Sequence, residues 1–512
     1  MYDVLIVGAG PAGSTTARVA SKAGLDVLIL EKKSFPRYKP CGGALSDRAI
    51  SILDFPLPER LCERTIRTVR VHAYDKVAEV HQQNRLATLV TRSKFDDFLL
   101  EKAQEAGVDL VTQEVQKFKQ IDDHVEILTK EKKIYKSRFL VISSGYQDNL
   151  KDHIQEKERR DEYGLSIVTE IEEDDKHIED RLHDSLDFYF DAIDSGYGWI
   201  FPHKGYYSVG IWGQASQLNG LRSKMAHFLK RNGFQGNYRL HGHKSPLGGS
   251  NRRIARSRVL LAGDSAGFVD ALTGEGIYYA LRSGQIAANV ISKQDSVDVS
   301  RAYIAMCEKE FGEELSYAHW LARSLTSRPE TLSRVLACDG QVLDKYIEVA
   351  AGKGTYKNFV GWLVPRFLQE CVDSCNQRID KLPIILRDSM GKERINIRLI
   401  LENGGILRLG CETEKANIKR IVEAGLLNPT FSLDLTEGAI SRIMSSNDLM
   451  GTFRKECELG RLDIRGNNLA ARLKLDATFS SIGVMNILRN ILSSCSKKLV
   501  RGDREESATC FR

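Results

Sequence analysis

A chain of 512 residues with 42% apolar and 28% charged residues, 41 glycines and 11 prolines has the make-up of a folded globular protein, which excludes wholesale disorder, a collagen-like repeat and a disulfide scaffold. Its formal net charge of +6 suits an ordinary solvated surface or an anionic membrane face and falls short of the field of a nucleic-acid binder. Ten cysteines are scattered without a C-x-x-C pair, and the one close pair, Cys371 and Cys375, has no further ligand at zinc spacing. Reduced thiols and no metal centre are expected.

The opening MYDVLIVGAG has no basic leader, and no stretch approaches the ~20 unbroken apolar residues of a membrane span. A cytoplasmic protein is expected, with peripheral contact at the inner membrane face. Residues 2–8 (YDVLIVG) read as a buried strand, followed by a glycine turn, a helix closing at Gly24, and a second strand at 26–31 (DVLILE). This is a parallel βαβ unit. A helix at 94–106 and strands at DLVTQEV and 138–145 extend it. From about 184 to 246 the runs LDFYFD, GYGWIFP, GYYSVGIW and NYRLHGHKS are aromatic and alternating, which predicts an antiparallel sheet. A buried strand returns at 258–263, a helix follows through 276–293, and 299–372 is helical in period. Residues 384–512 predict a separate α+β domain, with strands in NIRLILENGGILRLG, TFSLDL and RLDIRGNNLAARLKL and helices in EKANIKRIVEAG and EGAISRIM. The pattern Phe479, Ile482, Met485, Leu488, Ile491, Leu492 is amphipathic, suited to packing on its own domain or to a membrane or tunnel mouth.

The fold class expected is mixed α/β. A Rossmann-like domain (1–150 and 250–298) would carry an inserted antiparallel-sheet substrate domain (151–249). A helical segment (299–372) and a C-terminal α+β domain (384–500) would follow.

Gly8-Ala9-Gly10-Pro11-Ala12-Gly13 is a G-x-G-x-x-G at the strand-to-helix turn. Gly8 allows the sharp turn, Gly10 lets backbone approach a pyrophosphate, Gly13 lets helix and strand pack, and the helix N-terminus offers N–H groups to the anion. Glu31, ending the second strand, is placed to accept from a ribose diol. In the second half a strand delivers Gly263-Asp264, and the loop Gly274-Glu275-Gly276 opens a helix at Ile277. Asp264 can hold a polyol chain or cap a helix, and a helix N-terminus there suits a reduced flavin ring; NAD needs neither, so FAD is the cofactor expected.

Together these two blocks resemble the FAD-binding fold of the aromatic hydroxylases. Within it, FPRYKPCGGALS is similar to the P-x-x-K-x-C-G-G segment of the geranylgeranyl reductase family, matched by Pro36, Lys39, Cys41, Gly42 and Gly43. The block Tyr197-Gly198-Trp199-Ile200-Phe201-Pro202 matches the family's Y-x-W-x-F-P, while its following G-x-G is half present as Gly210-Ile211-Trp212. Arg92 matches an arginine that reaches towards the cofactor, and Ala271 stands where relatives carry Pro, which would loosen the flavin loop. The resemblance covers about residues 1–372. It implies an archaeal digeranylgeranylglycerophospholipid reductase type of enzyme: reduced FAD saturates isoprenoid double bonds of a polyprenyl lipid, and NAD(P)H or a ferredoxin-like protein supplies electrons. Cys41 is then the proton donor and Tyr197 the second candidate; Lys39, Gly42, Gly43 and Arg92 join the glycine motifs at the cofactor. Trp199, Phe201, Pro202, Gly210 and Trp212 would line the substrate slot. NPTFSLDLTEGAISRI and GRLDIRGNNLAARLKL are more faintly similar to sterol-carrier-protein-like domains.

The residues alone leave alternatives open. Cys41 can be a small buried filler, and the aromatics can be sheet core. A flavin monooxygenase of the same fold and a lipid-binding protein with a vestigial flavin site compete with the reductase.

Overall fold

The computed structural model describes residues 1–326, 340–366, 391–439, 442, 449–468 and 471, apart from 157, 194–195, 250–251, 294–298, 402–404 and 415–416. The close cysteine pair 371/375 and the amphipathic pattern from Phe479 to Leu492 lie outside these residues.

The strand Tyr2–Val7 pairs in parallel with both Val27–Glu31 and Ile134–Ile142, so Val4 faces Val27 on one side and Phe139 on the other. Covered on both faces, such strands are apolar throughout instead of alternating, which is why they were legible as short unbroken runs. The sheet runs in the order 255–256, 259–261, 134–142, 2–7, 27–31, 109–112, with the antiparallel strands Val115–Gln120 and Val125–Thr129 branching from its third member. The helices Pro11–Lys22 and Ile277–Lys293 pack against each other. Their approach depends on Gly284, where a Cβ would stand 2.6 Å from the Ala12 carbonyl oxygen.

The second sheet has seven strands in the order 241–246, 163–172, 206–214, 196–202, 185–189, 68–73, 76–81. The antiparallel sheet expected from 184 to 246 is present, and it also takes Thr68–Ala73 and Lys76–His81 from within 1–150. Those two strands alternate like any surface hairpin. What assigns them here is the parallel pairing of Thr68–Ala73 with Ser185–Tyr189, a long-range choice that local pattern does not encode. A three-stranded sheet of Ala44–Ser46, Ala87–Leu89 and Arg64–Ile66 joins the Cys41 region to this part.

Beyond Lys293 the helices Val299–Cys307, Glu313–Thr326 and Gly340–Ala350 complete a first unit, Met1–Gly354. The second unit, Thr355–Arg512, contains a sheet in the order 417–423, 406–414, 392–400, 431–436, 462–466 and a helix Leu449–Glu458. Here EKANIKRIVEAG is a strand, Asn417–Glu423, and not the helix expected. Its Ile418 and Ile421 are three apart, a helical spacing. A register shift opposite Glu412/Thr413 leaves Lys419 unpaired, so both isoleucines reach the Cys411 cluster from one face. Residues 437–439 begin a helix within EGAISRIM, whose remainder is largely outside the described residues.

Candidate functional site

At the first glycine turn Gly8 has φ +98° and its N–H bonds the Leu30 carbonyl at 2.8 Å. A side chain on Gly13 would drive into the Gly8 carbonyl and stand 2.6 Å from Ser143 Oγ. Glu31, 6% exposed, accepts the N–H of Ala9 at 2.9 Å and that of Lys33 at 3.0 Å, so it braces the turn it follows. The helix Pro11–Lys22 begins at Gly10 with no side-chain cap and no acidic residue in its first turn. Its N–H groups and positive dipole end therefore stay available beside the cavity that Gly10, Pro11 and Ala12 line. An uncapped helix end opening on a cavity fits a pyrophosphate, which is the test an FAD site has to pass here. Arg37, overlooked in the sequence, lines the same wall, its Nη2 3.5 Å from where a Cβ on Gly10 would stand.

Beside this turn Gly263 (φ +59°) opens the 3₁₀ turn Gly263–Ala266 and wedges against Ala12 and Ala280, its built Cβ 3.1 and 3.2 Å from theirs. Asp264 lines the cavity within that turn and does not act as a helix cap. The loop through Gly274 (φ +72°), Glu275 and Gly276 reaches the cavity together with Ile277. Ala271 does not leave it loose: Asp270 Oδ1 accepts from the N–H groups of Leu272 and Thr273, each at 2.8 Å. Glu275 is further held by Ser46 and Arg48.

Cys41 lies on the cavity wall, its Sγ accepting the Gly43 N–H at 3.4 Å. Arg92 bonds Asp96 through both guanidinium arms, at 2.8 and 3.0 Å, and also contacts the Cys41 side chain. Burial opposes its charge, yet Asp96 and Cys41 hold the guanidinium above its ordinary range. Lys39 Nζ is 2.8 Å from His243 Nε2. Burial lowers the Lys39 ammonium, and burial together with Lys39 and Arg92 lowers His243 well below the usual imidazole range. His243 is therefore the neutral acceptor and Lys39 the donor. In the strand His241–Pro246 the alternate residues His241, His243 and Ser245 all line the cavity. The HGHKS alternation carried that signal.

Tyr197 donates its hydroxyl to the Thr273 carbonyl at 2.6 Å, and burial pushes its phenol upward. Its proton is already committed to the flavin-loop backbone. Trp199 pairs across the sheet with Gly210, where any side chain would collide with the indole. Trp212 lies likewise over Gly164 and donates to Ser245 Oγ at 3.1 Å. The Trp that interrupts the expected G-x-G thus has its own glycine on the next strand. With Phe188, Phe190 and Phe201 these rings form a cluster of tilted and edge-on pairs 5.3–6.3 Å apart.

Most of these groups border one cavity of about 680 Å³. Of the residues expected at the site, Gly8, Gly10, Ala12, Glu31, Lys39, Cys41, Gly42, Gly43, Arg92, Asp264, Gly274, Gly276, Ile277, Tyr197, Trp199, Phe201 and Trp212 line it. Gly13, Gly263, Pro202 and Gly210 do not; the three glycines permit close packing behind the wall, and Pro202 offers its carbonyl to Arg64 Nε at 3.1 Å. The apolar arm is extended by Val69, Val71, Leu186, Tyr346, Ile347 and Ala350, from strands and a helix that no motif marks.

Residues 1–161 match the family described as FAD binding domain. Menaquinone reductase of Mycobacterium tuberculosis is 30% identical over 351 residues, 63% of this chain and 84% of that protein. Geranylgeranyl diphosphate reductase of Rhodobacter capsulatus is 28% identical over 300 residues, covering 56% of this chain and 74% of the relative. The chain belongs to the geranylgeranyl reductase family. It is an FAD-binding oxidoreductase. In fold, this family member is similar to a geranylgeranyl bacteriochlorophyll reductase-like protein from Thermoplasma acidophilum, with TM-score 0.62 at 22% identity, across 71% of this chain and 98% of that one. No helix among the described residues is long and apolar enough to cross a membrane.

Proposed function

We propose that this protein saturates carbon–carbon double bonds in the isoprenoid chain of a lipid. One observation carries the reading: the uncapped dinucleotide turn, the Cys41 loop and the aromatic arm border a single cavity. When bound in reduced form, FAD supplies the hydride that such a reaction needs. Gly10, Ala12, Glu31, Arg37, Asp264 and the Gly274–Gly276 loop would hold it. An isolated alkene has no carbonyl to polarise it, so the chain's own task is alignment, exclusion of water and delivery of a proton to the second carbon. The ring cluster aligns an apolar chain. Cys41 Sγ–H gives the proton, with the Arg92 guanidinium beside it. Tyr197 serves as a strut for the flavin loop, because its proton is held by Thr273. The substrate would be a polyprenyl lipid drawn from a membrane by peripheral contact, with NAD(P)H or a ferredoxin-like protein as electron source.

The test is anaerobic incubation of the chemically reduced holoprotein with polyprenyl lipids, read by mass spectrometry. A gain of about two mass units per reduced bond is expected, and Cys41→Ala should keep the yellow flavin while slowing the gain by about 10²-fold or more. Full rate in Cys41→Ala overturns the donor assignment. Product formed only with oxygen, carrying an added oxygen atom, overturns the reductase in favour of a monooxygenase.

A further inference from the structure

The mechanism above leaves unused a buried ionic group directly behind the Cys41 loop. His203 is 1% exposed and follows the aromatic strand Gly196–Pro202. Its Nε2 is 2.9 Å from the Gly42 carbonyl oxygen, and its Nδ1 is 2.6 Å from Glu63 Oε2. A carbonyl only accepts, so Nε2 carries a proton. Burial raises the Glu63 carboxyl, but bonds from His203 and Thr91, with Lys94 beyond, bring it below its ordinary value, so it is ionised and also only accepts. The ring thus bridges the Gly42 carbonyl and the Glu63 carboxylate. Tyr206 stacks on it, centroids 4.5 Å apart at 14°, with its hydroxyl 2.9 Å from Nδ1. Glu170, whose carboxyl burial raises, also interacts with His203 and Glu63. Gly43 (φ +75°) leaves the ring its place: a Cβ there would stand 2.7 Å from His203 Cε1.

We propose that His203, anchored by Glu63, is a positioning residue that clamps the Cys41-Gly42-Gly43 loop through the Gly42 carbonyl and so fixes the thiol on the cavity wall. A further tie on this loop is the Val90 N–H to the Gly43 carbonyl, at 2.9 Å. Loss of His203 removes its bond and frees the Gly42 carbonyl. The proposal rests on the reading of Cys41 as donor for its functional meaning, but not for its test.

In the FAD-loaded full chain, the rate of Cys41 alkylation by iodoacetamide is followed by peptide mass spectrometry, with Cys457 of the second unit as internal reference. His203→Phe should speed Cys41 alkylation at least tenfold and leave Cys457 unchanged. His203→Gln, whose amide N–H can still reach Gly42, should restore the rate to within threefold of wild type. In turnover, His203→Phe should lower kcat at least tenfold and change KM for the lipid less than threefold. Wild-type alkylation in a folded His203→Phe protein overturns the clamp. Should that variant not fold, Glu63→Gln decides: a rise of threefold or more upholds the clamp, and no rise overturns it. If Cys41→Ala saturates lipid at full rate, the donor reading falls while the alkylation result still judges the clamp.

Discussion

The two walls of the cavity are built on opposite plans. On the cofactor wall two parallel strands end in turns at Gly8 and Gly263, the Gly274 loop leads into a helix, and what reaches the cavity is largely backbone: an uncapped helix end and a glycine loop tied by Asp270. On the facing wall, antiparallel strands present large rings, each seated on a glycine or another ring across the sheet: Trp199 over Gly210, Trp212 over Gly164. The first wall recognises by N–H groups and dipoles that any side chain would obstruct. The second recognises by shape, and its glycines work at one remove, by letting rings lie flat. Substitutions should therefore separate the two functions.

The largest separation is expected from Gly13→Val. Its Cβ has no room against the Gly8 carbonyl and Ser143, so the purified protein should be colourless and take up no FAD on reconstitution. Retention of stoichiometric flavin would show that the turn tolerates what the geometry forbids.

Gly210→Val acts on the other wall. It pushes the Trp199 indole off its seat and should raise KM for a polyprenyl lipid by about tenfold, equivalent to ~1.4 kcal/mol, with the flavin spectrum and FAD affinity unchanged. An equal loss of FAD would mean that the walls are not separable.

Tyr197→Phe tests the strut that links them. Losing its bond to Thr273 (2.6 Å) should weaken FAD binding by severalfold, about 1 kcal/mol, while alkene saturation persists at saturating FAD. Abolished saturation with normal FAD affinity would return Tyr197 to the role of proton donor.

A pH response behind the cofactor wall acts on stability and not on one substrate. His319 lies against Gly249, next to Gly248, whose N–H bonds the Val269 carbonyl at 2.7 Å. Burial, with Arg323 and Arg252 nearby, holds its imidazole down at about 4, against about 6.5 unfolded. As pH falls through this window the unfolded chain takes a proton that the folded one refuses, so stability is lost. The loss should be about 2 kcal/mol between pH 7 and pH 5, seen in thermal melts with flavin release. His319→Gln should flatten that slope; an unaltered slope would locate the acid sensitivity elsewhere.

The cofactor wall was legible residue by residue because its parts are local. Gly8 to Glu31 spans one βαβ unit, and Gly263 to Ile277 one strand–loop–helix. The substrate wall was legible in kind only. Tyr197, Trp199 and Phe201 stood out, but Val69, Val71 and Tyr346 come from distant segments without special composition. His203 follows the aromatic motif directly, and nothing in its neighbours announces Glu63, 140 positions earlier. Tyr197 shows the same limit: a phenol in an aromatic strand reads equally as donor or strut until the Thr273 carbonyl is found 2.6 Å away.

Sequence by itself determined the βαβ start, the two glycine loops and the thiol between paired glycines, because each is a short-range demand of backbone geometry. Tertiary structure alone decided which strands complete the aromatic sheet, that residues 417–423 form a strand, and which imidazole meets the Gly42 carbonyl. Those depend on groups brought together over hundreds of residues, where the energy lies in pairing and burial that no local window contains.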